Sequence, residues 1–235
     1  VKLLSLETSA KCASCAVTDN GRVLASAFVN TAQTHSQTLM PMVTETLSVA
    51  GVSVAQLDGI AVAAGPGSFT GVRIGVAAAK GLAFAQDLPC VGVSSLETVA
   101  AQFDGVLQAG KLCVLMDARC GQVYTATFAV TPDGLVQETP DEAIAAADVL
   151  ARLATCDEPV TLAGDGAALW FAPWQAQLPQ LRLAPDSCRY PTAVGVALAA
   201  EKAFAAGKAV TAAALQPLYL RLPQAERERL AREGK

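Results

Sequence analysis

Few side chains in this sequence can do chemistry, and their spacing decides which kind. Histidine occurs once, as His35, so a serine or cysteine nucleophile would have to take its base from that one residue. No Gly-x-Ser-x-Gly elbow is present to hold such a nucleophile, and Ser68 has no visible base beside it. Seven cysteines are scattered along the chain. Cys12 and Cys15 form a C-x-x-C, but a strand sends residues three apart to opposite faces. With no second cysteine pair and no second histidine, a zinc site is incomplete, and no bound metal or other cofactor is expected. The cysteines read instead as small buried hydrophobes. The acids are better placed: Glu7 and Asp117 each close a short apolar run. Between them, Gly65-Pro66-Gly67-Ser68-Phe69-Thr70-Gly71 links a strand to a helix, a setting in which backbone amides can hold a phosphate. Known phosphate loops do not fit it. A Walker A loop needs Lys and then Ser or Thr after its last glycine, where this chain has Val72 and Arg73. The dinucleotide fingerprint needs glycine where Thr70 stands, and needs the first strand rather than the fourth. A tight turn capped by Ser68 or Thr70 remains. Gly164-Asp165-Gly166 is a second, weaker glycine site.

The elements that must position these residues are written twice. In the first half, residues 2–6, 12–18 and 23–28 read as strands, the last two joined by Asp19-Asn20-Gly21, a hairpin signal because Asn-Gly tolerates positive φ. Then come a helix over 35–50 containing Pro41, a strand over 59–64, a helix over 70–85, a strand over 90–93 and a helix over 95–102. The second half repeats the order with strands over 112–116, 123–130 and 135–138, the last following Pro132-Asp133-Gly134. A helix over 142–153, a strand over 160–164, a mixed segment around Trp170 and Trp174, a short strand near 181–183 and a helix over 192–206 complete it. Two copies of one β-β-β-α-β-α-β-α unit predict a duplicated α/β protein with mixed sheets, the plan of the actin, Hsp70 and sugar-kinase superfamily. The expected lobes are residues 1–104 and 105–235, with the tail from about 216 packing back on the first lobe.

Composition narrows the function classes. A chain of 235 residues can bury a core without staples. It contains no run of 18 or more apolar residues for a membrane span, and the apolar start ends at Glu7, too soon for a signal peptide. A cytoplasmic location is expected. The net charge is −4, from 17 basic and 21 acidic residues, which is not the basic footprint of a protein that binds RNA alone. The tail is the exception: Arg221, Arg227, Arg229, Arg232 and Lys235 outnumber Glu226, Glu228 and Glu233, and read as an exposed charge-laced helix in preference to a nucleic-acid contact. Inside the 70–85 helix, Gly71, Gly75 and Ala79 recur every four residues beside Ala78 and Gly81. Helix-interior glycine costs about 0.8–1 kcal/mol relative to alanine, so something must approach that backbone, either the protein's own sheet or another helix.

The run from Gly65 to Gly75, together with Leu6-Glu7-Thr8-Ser9, the segment His35-Ser36-Gln37-Thr38-Leu39-Met40-Pro41, the segment Asp117-Ala118-Arg119-Cys120-Gly121-Gln122-Val123-Tyr124 and Pro217-Leu218-Tyr219-Leu220-Arg221, resembles the TsaB (YeaZ) family. The resemblance covers nearly the whole chain in order. It implies an actin-like two-lobed fold without catalysis of its own. It further implies a heterodimer with the paralogue TsaD, a third member in the ATPase TsaE, and contact with tRNA through the complex. That complex places a threonylcarbamoyl group on the adenosine next to the anticodon of tRNAs reading codons that begin with A. Where TsaD carries a His-x-x-x-His metal pair, the corresponding positions here are Ser95 and Val99. The resemblance also points to the first lobe's two helices as the docking surface, for the paralogue or for a homodimer, through Leu39, Met42, Val43, Gly71, Arg73, Gly75, Ala78 and Ala79. Glu7, Asp117, Arg119, Gly164 and Gly166 would be a vestigial ligand site, with Asp117 and Arg119 paired in a structural salt bridge. The alternatives are an actin-like ATPase or small-molecule kinase, and a protease or chaperone-like factor acting on the paralogue.

Overall fold

The computed structural model describes residues 1–31 and 33–221; apart from Arg221, the basic cluster expected to form a terminal helix lies outside the described residues. The first half contains β1 (Lys2–Glu7), β2 (Ala13–Asp19), β3 (Arg22–Val29), α1 (His35–Ala50), β4 (Gly59–Gly65), α2 (Phe69–Phe84), β5 (Cys90–Ser94) and α3 (Ser95–Ala101). The second contains β6 (Lys111–Asp117), β7 (Gln122–Thr131), β8 (Gly134–Gln137), β9 (Glu142–Ala145), α4 (Ala146–Leu153), β10 (Val160–Ala163), α5 (Ala167–Gln175), β11 (Leu181–Leu183), α6 (Asp186–Arg189) and α7 (Ala193–Ala205). The β2–β3 hairpin turns where expected, with Asn20 and Gly21 at φ 46° and 76°. Helix α1 stops at Gly51, in the left-handed conformation that closes many helices.

The duplication is visible in the sheets. The first runs β3-β2-β1-β4-β5 and the second, read in the same sense, β8-β7-β6-β10-β11. β1 pairs antiparallel with β2 and parallel with β4, and β6 likewise pairs antiparallel with β7 and parallel with β10. One element departs from the sequence reading. Residues 142–145, expected to open a helix, form β9 and pair antiparallel with Gln122–Thr125 of β7. The physical reason is an unfilled ladder: β8 covers β7 only from Phe128 to Thr131. The remaining backbone groups on that edge need partners, and alanine-rich residues 142–145 supply them before α4 begins.

Both sheets are buried on two faces, in strict alternation. On the first, Leu4, Leu6, Cys15, Val17, Ile60 and Val62 pack against α1 and α2. Leu3, Ala61, Ala63, Val91 and Val93 face the other way and pack on Val196, Ala199 and Ala200 of α7. On the second sheet, Cys113, Leu115 and Leu162 meet α4 and α5, while Leu112, Val114 and Met116 meet Leu96, Val99 and Ala100 of α3. The closing helix of each half therefore covers the sheet of the other. A boundary at residue 104 separates the two sheets but not the packing, because α7 belongs in space to the first lobe. Cys12, which the sequence reading placed in the strand, lies just before β2, and it and Cys15 are buried in different cores. Among the described residues, no helix is long and apolar enough to cross a membrane.

Candidate functional site

The ends of β1 and β6, with the turns that follow β4 and β10, surround a cleft of about 730 Å³ between the lobes. Lys11, His35, Thr70, Asp117, Arg119, Tyr124 and Asp165 reach it, and residues 218–221 close one side.

The glycine-rich turn after β4 faces this cleft but is packed onto its own chain. The Ser68 amide donates to the Ser9 carbonyl at 2.7 Å. A Cβ on Gly67 would overlap that same carbonyl oxygen, and one on Gly71 would overlap the Thr8 carbonyl. The Thr8 hydroxyl donates back to the Gly71 carbonyl at 2.8 Å. These glycines admit the end of β1. Ser68 Oγ caps α2 by accepting the Gly71 N–H at 3.3 Å, as the sequence reading allowed. His35 Nε2 donates to the Ala10 carbonyl at 2.8 Å. Ser68 and His35 are thus each engaged with backbone, not with one another, and no serine–base pair forms.

The turn after β10 repeats the device. Cβ atoms on Gly164 and Gly166 would run into the backbone of residues 115–117 at the end of β6, and the Gly166 amide donates to the Leu115 carbonyl at 2.9 Å. What differs is the acid. Asp165, between the two glycines, is half-buried at the cleft; desolvation pushes its pKa up to about 6, against the pull of the Asp117 amide that donates to it at 3.2 Å. In the first lobe it is the strand-end acid, Glu7, that is enclosed. Burial pushes it up to about 7, opposed by hydrogen bonds from the Ser9 hydroxyl and amide at 2.6 and 2.5 Å, and the charge of Asp165 adds to the rise. Its second oxygen, Oε2, has no hydrogen-bond partner among the described residues. Asp117, by contrast, is half-buried at the cleft and accepts the Arg119 amide at 2.8 Å.

That contact corrects the expected salt bridge. Arg119 sits in a left-handed turn at φ 62° and turns its backbone amide, not its guanidinium, toward Asp117; among the described residues no ion pair joins the two. Of the five residues read as a vestigial ligand site, Asp117 and Arg119 line the cleft. Glu7 is wholly buried, and both glycines are consumed in packing. Asp165 and Lys11 belong to the group and were not singled out from sequence. The signal for Asp165 was the pair of glycines that bracket it. Ser95 and Val99 are fully buried on α3 beneath the second sheet.

The small-residue stripe of α2 needs a second correction. A Cβ on Gly75 would overlap Thr8 Oγ1 and press on Val62, and Ala79 is fully buried. The stripe faces the protein's own sheet. Leu39 and Val43 are core residues, while Met42 and Ala78 are half-buried against that core. The outward face is different: Arg73, Ala77, Gly81 and Phe84 on α2, with Met40 and Val49 on α1. Phe84 is 82 % exposed and Val49 71 %. Gly81 would offer a Cβ nothing but open space.

Comparison with known proteins follows this geometry. A family model described as TsaD, tRNA N6-adenosine threonylcarbamoyltransferase, matches residues 29–229. The chain is 32 % identical over 222 residues to the tRNA threonylcarbamoyladenosine biosynthesis protein TsaB of Escherichia coli (strain K12), covering 94 % of this chain and 95 % of that one. To the protein of the same name from Bacillus subtilis (strain 168) it is 38 % identical over 170 residues, 71 % and 72 % of the two chains. Among solved structures, YeaZ from Pseudomonas aeruginosa superposes with a TM-score of 0.72 at 29 % identity, covering 93 % of this chain and 99 % of that one.

Proposed function

Because the chain belongs to the TsaB (YeaZ) branch of the TsaD family, we propose that it serves tRNA threonylcarbamoyladenosine biosynthesis as a non-catalytic partner subunit. The observation that carries the non-catalytic half is the packing of residues 65–71 onto Thr8 and Ser9. The Ser68 amide and the Cβ sides of Gly67 and Gly71 are taken up by the end of β1, so the glycines of this turn serve backbone packing. At the positions matching the paralogue's metal-binding histidines, Ser95 and Val99 are inside the core, and neither side chain ligates a divalent metal as an imidazole does.

In this reading the catalyst is a TsaD-type paralogue bound as a heterodimer in the cytoplasm, with a TsaE-type ATPase and tRNA joining through the complex. Docking uses the exposed face of α1 and α2, where Phe84, Val49 and Met40 offer apolar area and Arg73 a charge. A homodimer through the same face competes with it. Large exposed aromatics at the centre of an interface often carry about 2 kcal/mol or more, so Phe84→Ala should weaken binding by more than about tenfold. Reconstitution tests the whole reading. Unmodified tRNA, the paralogue, the ATPase and this chain together should yield modified tRNA, and omission of this chain should abolish the product. Modification that proceeds equally well without it, or turnover of ATP by the isolated chain at roughly 1 per second or faster, would overturn the assignment.

A further inference from the structure

After α7 the chain returns to the first lobe as an extended strap. Val210 bridges the free edge of β5 at Cys90, with both hydrogen bonds at 2.8 Å. Leu215 is buried in the core under α2, and Lys80 of α2 donates to the carbonyls of Ala213 and Leu215, each at 3.1 Å. Farther on, the Leu218 amide donates to the Ala64 carbonyl at 2.6 Å. The Leu218 carbonyl fills the space a Cβ on Gly65 would need.

The last described residues leave this anchored path and tie two places together. On one side, the Arg73 guanidinium lies 3.7 Å above the Phe69 ring and donates through Nε to the Tyr219 hydroxyl at 2.8 Å. The Tyr219 ring stands 5.0 Å from Phe69. On the other, Arg221 Nη1 donates to the Ala118 carbonyl of the second lobe at 2.6 Å. Ala118 begins the turn in which Arg119, Cys120 and Gly121 take φ 62°, 53° and 71°. Two of these are not glycine, so the turn is held in a conformation that costs about 1–2 kcal/mol for each of them. Arg73 is exposed on the outward face of α2, whereas residues 117–119 line the cleft. Of the strap, only Leu220 separates their two anchors, Tyr219 and Arg221.

From this chain of contacts we infer that the strap links the outward face of α2 to the cleft. Whatever engages the Arg73 guanidinium at that face competes with Tyr219 for it, loosens residues 219–221, withdraws Arg221 from Ala118 and frees the 118–121 turn. Occupation of the helix face thereby opens the side of the cleft that the strap closes. The inference rests on the docking reading above only for what the trigger is; the linkage itself belongs to the single chain.

Hydrogen exchange of the full-length protein, read by mass spectrometry, tests it in variants checked for folding by circular dichroism. Arg73→Ala and Tyr219→Ala remove the anchor on α2 and touch nothing in the second lobe. Each should speed exchange in peptides spanning 118–124 by about tenfold, the worth of one charge-assisted hydrogen bond, and Arg221→Ala should do the same directly. Peptides from the centre of β6 should be unchanged in all three. Acceleration at 118–124 in Arg221→Ala alone would show a local tether and overturn the linkage, as would no acceleration in any variant. A second arm adds the paralogue. If it binds by calorimetry and 118–124 exchange rises in the wild type, but shows no further rise in Arg73→Ala, the trigger is the docking partner. No binding at all would refute the docking reading while the single-chain result stands. Binding without any effect on 118–124 in the wild type would refute this trigger.

Discussion

The turns after β4 and β10 hold equivalent places in a duplicated fold, and each presses glycines against the end of its lobe's leading strand. In the first, Gly67 and Gly71 admit Ser9 and Thr8; in the second, Gly164 and Gly166 admit Leu115 and its neighbours. The acids differ. The strand-end Glu7 of the first lobe is wholly buried, whereas in the second lobe the strand-end Asp117 and the turn's own Asp165 are both half-buried at the cleft. The comparison teaches that the glycine spacing answers a backbone-to-backbone requirement common to both lobes. The acids around it are free to differ.

If that is right, the largest effects should come from the glycines, and unequally. Gly164→Ala meets both a forbidden conformation at φ +99° and the Leu115 carbonyl. A left-handed alanine costs about 1–2 kcal/mol and overpacking about 1–3 kcal/mol more, so urea unfolding should show a loss of about 2–5 kcal/mol. Gly71→Ala meets only the overlap with Thr8 and should lose about 1–3 kcal/mol. Equal and negligible losses would mean that neither turn needs its glycines for packing.

The acids set the next effect. Glu7 has a folded-state value of about 7 against an ordinary 4.5, so the folded chain holds this proton more tightly than the unfolded one. Stability from this group is therefore fully present below about pH 4.5 and is lost as pH rises through about 7. At 1.36 kcal/mol per pH unit, that span is worth about 3 kcal/mol. Asp165 acts in the same direction between its ordinary 3.8 and about 6. Glu7→Gln removes the first share, so relative to wild type the variant should gain about 3 kcal/mol between pH 4 and pH 8. A gap that stays constant with pH would place the Glu7 carboxyl in contact with water.

The smallest effect separates two glycines of one helix. Gly75 meets Thr8 and Val62, but Gly81 meets nothing. With no contact to lose, Gly81→Ala should stabilise the isolated chain by about 0.8–1 kcal/mol through helix propensity alone, measured by thermal unfolding. The same substitution should weaken binding to the paralogue if a partner helix uses the gap at Gly81. A loss of stability in the isolated chain would show that this glycine, too, serves the fold.

Much of the architecture was legible because burial alternates so strictly. Leu3 and Leu4, or Ala61 and Val62, point to opposite cores, and the strand-helix order carried the duplication. Local pattern failed where a distant edge decided the outcome. Residues 142–145 are as alanine-rich as the helix they precede, and only the uncovered part of β7 makes them a strand. The α2 stripe failed for a related reason. Spacing reveals that one face is small, but not what lies against it, and Thr8 is more than sixty residues away in sequence from Gly75. Asp165 was within reach from its flanking glycines. Tyr219 and Arg221 stood in a motif the sequence displayed, yet their partners Arg73 and Ala118 could be paired with them only in space.

The exchange of closing helices between lobes has a further consequence, in time rather than space. One face of the first sheet, made of Leu3, Ala61, Ala63, Val91 and Val93, finds most of its cover in α7, whose last residue is Ala205. Translation at about 5–20 residues per second separates the end of β5 from that residue by about 5–20 s. Throughout that interval a finished sheet would present an oily surface to the surroundings of the ribosome. A nascent chain stalled at the lobe boundary is therefore a natural client for a chaperone. An excised first lobe should be sticky, and the whole polypeptide should fold cooperatively only once α7 has emerged.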